Sequence, residues 1–193
     1  MIAAVEDVVS EAVARRLVTV IRPDLQITGV VRKNGKSYVR HRIRELNRAA
    51  RSVPVFVMID LDTPVPCPAD VIRSWLPTSF APNLLFRVAV MEIESWIMAD
   101  RIAFATFFSV PLQRVPEHPD AILKPKEQIV AIARKSRRKE IRQDMVPSPG
   151  DTRVVGPAFN ARLTAFVTDV WNPNMAVNAS PSLRSAVTRL KAF

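Results

Sequence analysis

The chain has 193 residues, 48% of them hydrophobic, which fits one domain with a real core, or one domain carrying a helical extension. A single cysteine, Cys67, excludes an internal disulfide, two histidines (His41 and His118) give a zinc site little support, and no apolar run is long enough to span a bilayer. The formal charge of +10 favours a polyanionic partner, meaning nucleic acid or an anionic surface.

Ile2-Ala-Ala-Val-Glu6 reads as a short strand ending in Glu6. The stretch that follows Met1 contains acids and no basic leader, so the expected location is cytoplasmic, with no membrane partner. Asp7 is placed to cap a helix from about Val8 to Ile21, with Val9, Val13, Leu17, Val20 and Ile21 at helical spacing and Pro23 as its stop. Leu25 to Val31 is predicted as a second strand, followed by the turn dipeptide Asn34-Gly35. Ser37 is the expected cap of a second helix with Val39, Ile43, Leu46 and Ala50 as its apolar stripe. Its other face carries Arg40, Arg42, Arg44, Arg48 and Arg51, either a solvated face or one turned to a polyanion.

Val53 to Asp62 (VPVFVMIDLD) begins as a continuous apolar run, the pattern of a strand buried on both faces in a parallel sheet. It ends in Asp60-Leu61-Asp62. If the strand alternation persists, both carboxylates project side by side at the carboxyl edge, where open α/β sheets hold their ligands. Two such carboxylates repel unless a proton or cation lies between them, and a hard divalent ion is the usual solution. The plainer alternative is that each Asp pairs with a basic side chain or caps a helix.

A Pro-rich loop, Pro64 to Pro68, precedes a short helix over Ala69–Leu76, and Leu84 to Met91 is a fourth strand ending in Glu92-Ile93-Glu94. These two acids share a face if strand geometry continues and diverge if a helix starts at Glu92, where acids also suit a first turn. The helix expected there carries Trp96, Ile97, Ile102 and Phe104. Alternating strands and helices argue for an α/β fold with a mostly parallel sheet flanked by helices. Beyond Val110 the chain reads as helical: Lys126 to about Ser136 behind Pro125, an amphipathic stretch over Pro157–Trp171, and a last helix from Ser180-Pro181. The expected division is an α/β domain over 1–110 with a helical extension over 111–193 packed on it. The densest positive run, Arg134-Lys-Ser-Arg-Arg-Lys139, lies in that extension.

A strand ending in Glu6, then helix, strand, helix and a strand ending in Asp60-Leu61-Asp62, resembles the Toprim domain of topoisomerases, primases and overcoming-lysogenization-defect (OLD-type) nucleases. More narrowly the chain is similar to a small bacterial Toprim-like family of uncharacterised function, associated with phage defence. The segments that carry this are Val5–Val13, Met58–Asp62, Arg87–Asp100, Leu123-Lys-Pro-Lys126, Val155-Gly-Pro157 and Ser180-Pro-Ser-Leu-Arg184. The Toprim resemblance covers about the first hundred residues and the narrower one nearly the whole chain. Asp7 stands where Toprim turns usually have Gly, and Ser10 stands where OLD-type nucleases often have a second acid, with Glu11 following.

The resemblance implies Mg²⁺ or Mn²⁺ as cofactor, Glu6, Asp60 and Asp62 as catalytic residues, and metal ligands among Glu6, Asp60, Asp62, Glu11, Glu92 and Glu94. It further implies an ATPase partner of the ABC or AAA type and leaves self-association open. Lys124, Lys126, Arg134, Lys135, Arg137, Arg138 and Lys139 are the expected nucleic-acid contacts. Cleavage of DNA or RNA is the expected activity, and a non-catalytic binding or sensor subunit of the same fold is the competing one. A strand-transfer enzyme is disfavoured, since no companion polymerase domain is seen.

Overall fold

The computed structural model describes residues 1–32, 35–65, 67–76 and 79–193. Four strands form one sheet in the order β2-β1-β3-β4: β1 Ile2–Ala4, β2 Gly29–Val31, β3 Val55–Asp60 and β4 Leu84–Ala89. Every pairing is parallel; Ile2 lies opposite both Gly29 and Val55, and Val55 opposite Leu84. The α/β class and the parallel sheet read from the sequence are thus the observed ones. Each strand is shorter than its apolar run. The second begins at Gly29 rather than Leu25, and the first stops at Ala4, before Glu6.

From β1 the chain turns to one side of the sheet through α1 (Val8–Ile21), and from β3 to the other through α3 (Pro68–Trp75). Right-handed crossovers in opposite directions put their helices on opposite faces. The core divides accordingly. Ala3, Phe56, Met58, Leu85 and Ala89 pack with α1 and the later helices. Ala4, Val55, Val57, Ile59, Phe86 and Val88 pack with α2 (Lys36–Ala49) and α3. This is the period-two alternation of a sheet covered on both sides.

Helix α1 starts as predicted: Asp7 is the N-cap, and its Oδ1 accepts the Ser10 N–H at 2.8 Å. Helix α2 corrects the expectation for Ser37. Its N-cap is Gly35, at φ +79, which needs no Cβ, so the helix begins at Lys36 and Ser37 falls inside the first turn. Asn34 of the expected turn, and Pro66 of the Pro-rich loop, lie outside the described residues.

After β4 the expected single helix is two, α4 (Ile93–Ala99) and α5 (Arg101–Phe107), broken at Asp100. The break turns Ile102 out to solvent while Trp96, Ile97 and Phe104 stay buried. The carboxyl region contains α6 (Pro125–Ala133), α7 (Lys139–Met145), α8 (Phe159–Asp169), α9 (Pro173–Ala176) and α10 (Pro181–Lys191). The short helices α7 and α9 have no clear apolar period in the sequence. Residues of α6, α7, α8 and α10 join the same hydrophobic cluster as α1 and α4, so this region is continuous with the sheet's core. Phe104, Phe107 and Phe108 meet Phe166 with ring centroids 5.2–5.7 Å apart.

Candidate functional site

The switch point of this sheet lies between β1 and β3, where the connections leave toward opposite faces. Glu6 follows β1 there and Asp60 closes β3. Asp60 donates its backbone N–H to Glu6 Oε1 at 2.8 Å, which brings the two residues together as the sequence pattern anticipates. The Asp60 side chain has the parity of Phe56 and Met58, so it points to the face of α1 and α4. Its Oδ1 accepts the N–H of Ile93, the first residue of α4, at 2.8 Å.

Asp62 does not stand beside Asp60 in strand geometry. The backbone adopts φ +68 at Asp62 and φ +62 at Met91, and the two residues are joined by the Asp62 N–H donating to the Met91 carbonyl at 2.7 Å. Left-handed backbone is uncommon outside glycine and concentrates at functional or constrained sites. The alternation is lost there, and the half-exposed Asp62 carboxylate pairs with Lys36 Nζ at 2.8 Å. Lys36 also donates to the Leu61 carbonyl at 3.2 Å.

Glu92 is the N-cap residue of α4, so it and Glu94 leave the backbone differently, yet Lys126 engages both. Lys126 Nζ lies 3.8 Å from Glu92 Oε1 and 3.7 Å from Glu94 Oε1. The Lys126 backbone N–H also donates to Glu92 Oε2 at 2.9 Å. Glu94 is fully buried, and neither of its oxygens has a hydrogen-bond partner among the described residues. Burial raises its pKa to about 7, against the opposing pull of Lys126. Burial, then the charges of Glu94 and Glu6, push Asp60 up as well. Glu6 is raised by burial, partly offset by its bond from the Asp60 N–H. For Lys126, burial works against the ammonium, but Glu94, Glu92 and Asp60 together outweigh it and hold the charge on.

The remaining expected residues are dispersed. Glu11 commits one oxygen to Arg15 at 2.9 Å and the other to Arg32 at 3.0 Å, so it is an ion-pair residue and not a free ligand. Lys126 turns into the carboxylates rather than out to a polyanion. Lys124 is exposed and pairs with Glu127 at 2.8 Å. Arg134, Lys135, Arg137, Arg138 and Lys139 are exposed where α6 gives way to α7. Arg138 pairs with Glu140 at 2.7 Å. Helix α6 runs on to Ala133 between Lys126 and this run, about 12 Å of helix from Lys126 to Arg134.

Two contacts at this edge escape the sequence pattern, that of Lys36 with Asp62 and that of Lys126, expected to face nucleic acid, with Glu92 and Glu94. Lys36 is remote in sequence from Asp62, with nothing local to link them. Lys126 lies in the Leu123-Lys-Pro-Lys126 segment, where Pro125 at the first helical position aims it back at α4. The Ser180–Arg184 segment also gains a physical role. Asp120 accepts the Ser180 hydroxyl at 2.7 Å and the Ser182 N–H at 2.9 Å, and Ser182 Oγ accepts the Trp96 indole N–H at 2.6 Å. The Trp171 indole donates to the Trp96 carbonyl at 3.1 Å. Helix α4, and Glu94 with it, is thereby fixed.

Among the described residues no three His, Cys, Asp or Glu side chains are arranged to hold a metal ion. The donor chemistry nonetheless suits a hard divalent cation: Glu6 and Asp60 each commit one oxygen to a backbone N–H, and Glu94 commits neither. No described helix is long and apolar enough to cross a membrane. Compared with protein-family models, curated proteins and solved structures, the chain matches none.

Proposed function

We propose that the chain is a divalent-metal-dependent phosphodiesterase acting on DNA or RNA. The observation that carries this reading is the buried carboxylate Glu94, without a hydrogen-bond partner among the described residues, at the same sheet edge as Glu6 and Asp60. Buried polar groups without partners are rare, and buried titratable groups with displaced pKa values gather at functional sites. Asp60 and Glu94 would be the residues to hold Mg²⁺ or Mn²⁺, which would polarise a phosphoryl oxygen and acidify a coordinated water. Glu6, whose pKa is raised, is suited to accept a proton from the attacking water through the oxygen it does not give to Asp60. Lys126 and Lys36 offset negative charge around a phosphate. Arg134 to Lys139 would hold backbone farther along the strand. An ATPase partner and a role in phage defence belong to this proposal through the Toprim-like resemblance.

A second reading is favoured by the ion pairs. Lys36 already answers Asp62, and Lys126 answers Glu92 and Glu94, so three of the five carboxylates at the edge have a cation without metal, as in a binding or sensor subunit. Labelled DNA and RNA incubated with the chain in Mg²⁺ or Mn²⁺, alone and with any ATPase that co-purifies from the native host in ATP, separates the two. Cleavage by wild type and not by Asp60→Asn supports the enzyme; identical behaviour of both replaces it with the binding module.

A further inference from the structure

Lys36, Arg40, Arg44 and Arg48 recur every fourth residue of α2 and therefore form one oblique row, stepping about 6 Å along the axis and about 40° around it. We propose that this row is a docking track for the phosphate backbone of a nucleic acid, leading away from the carboxylate edge. The inference rests on reading that edge as a phosphodiester site, and it places the main backbone contact on α2, apart from the Arg134–Lys139 run.

The row starts at the edge, because Lys36 Nζ is 2.8 Å from Asp62 Oδ2. It turns outward as it runs: Lys36 flanks the face of Val39, Ile43 and Leu46 that is buried against the sheet, and Arg44 and Arg48 lie on the side of α2 away from it. Arg40, Arg44 and Arg48 are exposed. The one acid of the helix, Glu45, pairs with Arg42, which is off the row. Arg40 lies over the Trp75 ring at 5.9 Å, which steadies its guanidinium.

Like charges four residues apart repel on a helix. Three consecutive pairs of this kind are a local conflict that packing does not require, and such conflicts mark functional surfaces. A polyanion removes the conflict. A lipid surface fits less well, since an interfacial helix needs its apolar face free, whereas that of α2 is spent on the core and its outer face has no large exposed apolar residue. From Lys36 to Arg48 the row spans about 18 Å, the axial length of about five phosphates of one duplex strand.

The test is binding to fluorescent duplex DNA and duplex RNA in EDTA, titrated across potassium chloride concentrations. Variants are Arg44→Gln/Arg48→Gln, Arg44→Lys/Arg48→Lys and Asp60→Asn, with folding checked by circular dichroism. Losing two phosphate contacts makes the slope of log K against log salt shallower by about 1.8 on DNA. The expected result is that loss in the glutamine variant, with the slope retained in the lysine variant and in Asp60→Asn. An unchanged slope in the glutamine variant overturns the track, as does wild-type binding confined to phosphatidylserine vesicles. If binding follows the row but no metal condition yields cleavage, the track stands and the phosphodiesterase reading falls. Cleavage with an unchanged slope gives the reverse.

Discussion

Lys126 Nζ and Glu94 Oε1 face each other at 3.7 Å, inside ion-pair range and beyond hydrogen-bond range. The carboxylate is fully buried, and the lysine is tethered through its backbone N–H, which donates to Glu92. A buried charge with an incomplete partner is costly. The arrangement holds because α4 is locked from behind by the Trp96, Ser182 and Asp120 bonds. Negative charge thus collects on one side of Lys126 with unspent oxygens, at the edge where the sheet opens.

The pH dependence follows from Glu94, whose pKa rises from 4.5 unfolded to about 7 folded. The folded chain binds more protons between those values, so stability is greatest below about pH 4.5 for this group and is lost as pH rises through 7. The loss is on the order of 3 kcal/mol. Asp60 and Glu6 shift in the same direction and add to it. Urea melts near pH 5 and pH 8 should show wild type losing stability at the higher pH. Glu94→Gln should lose markedly less. An equal loss in both would remove Glu94 as the cause.

Lys126→Met should destabilise by roughly 2 kcal/mol near pH 8, below the usual cost of breaking a buried pair because Lys126 keeps some exposure. The penalty should shrink near pH 5, where Glu94 takes up a proton. In a double-mutant cycle with Glu94→Gln, the two changes should be strongly non-additive. Additive effects at pH 8 would mean that the two side chains do not couple.

The legible parts of the fold are those with a period. The stripe Val9, Val13, Leu17 and the run Val55–Ile59 specify α1 and β3, and Asp7, Pro125 and Ser180 mark helix starts that hold. Strand-end acids pointed to Glu6 and Asp60 because a parallel sheet brings its carboxyl ends to one edge. Alternation misplaces Asp62, since it says nothing about the left-handed residue that ends it. Lys36 and the coupling of Lys126 to Glu94 are tertiary, and no local pattern encodes a contact across dozens of residues. Arg134 to Lys139 and the arginine face of α2 are both legible in the sequence, while the start of the α2 row at the carboxylate edge, through Lys36 and Asp62, is tertiary.

Val155-Gly-Pro157 has a steric basis. A Cβ on Gly156 would lie 2.5 Å from the Asp144 carbonyl oxygen and 2.6 Å from Val146 N, both backbone atoms at the end of α7. The Gly156 N–H also donates to the Met145 carbonyl at 3.0 Å. Gly156→Ala should therefore cost about 2 kcal/mol or more, by forcing two backbone segments apart. Thermal melts give the measure, and a neutral result would show that the segment can move aside.

Asp60 separates charge from shape. Asp60→Asn keeps an oxygen to accept the Ile93 N–H, and it removes a buried negative charge set beside Glu94 and Glu6. Near pH 8, without metal, it should match or exceed wild-type stability by about 1 kcal/mol, because carboxylates that repel one another no longer do. Asp60→Ala removes the acceptor too and uncovers the first N–H of α4, costing about 1–2 kcal/mol relative to the asparagine variant. Added Mn²⁺ should raise the melting temperature of wild type and leave both variants unmoved, since a ligand that binds only the folded chain stabilises it. Wild type and Asp60→Asn with the same response to Mn²⁺ would take the metal away from this residue, whatever the nuclease assay shows.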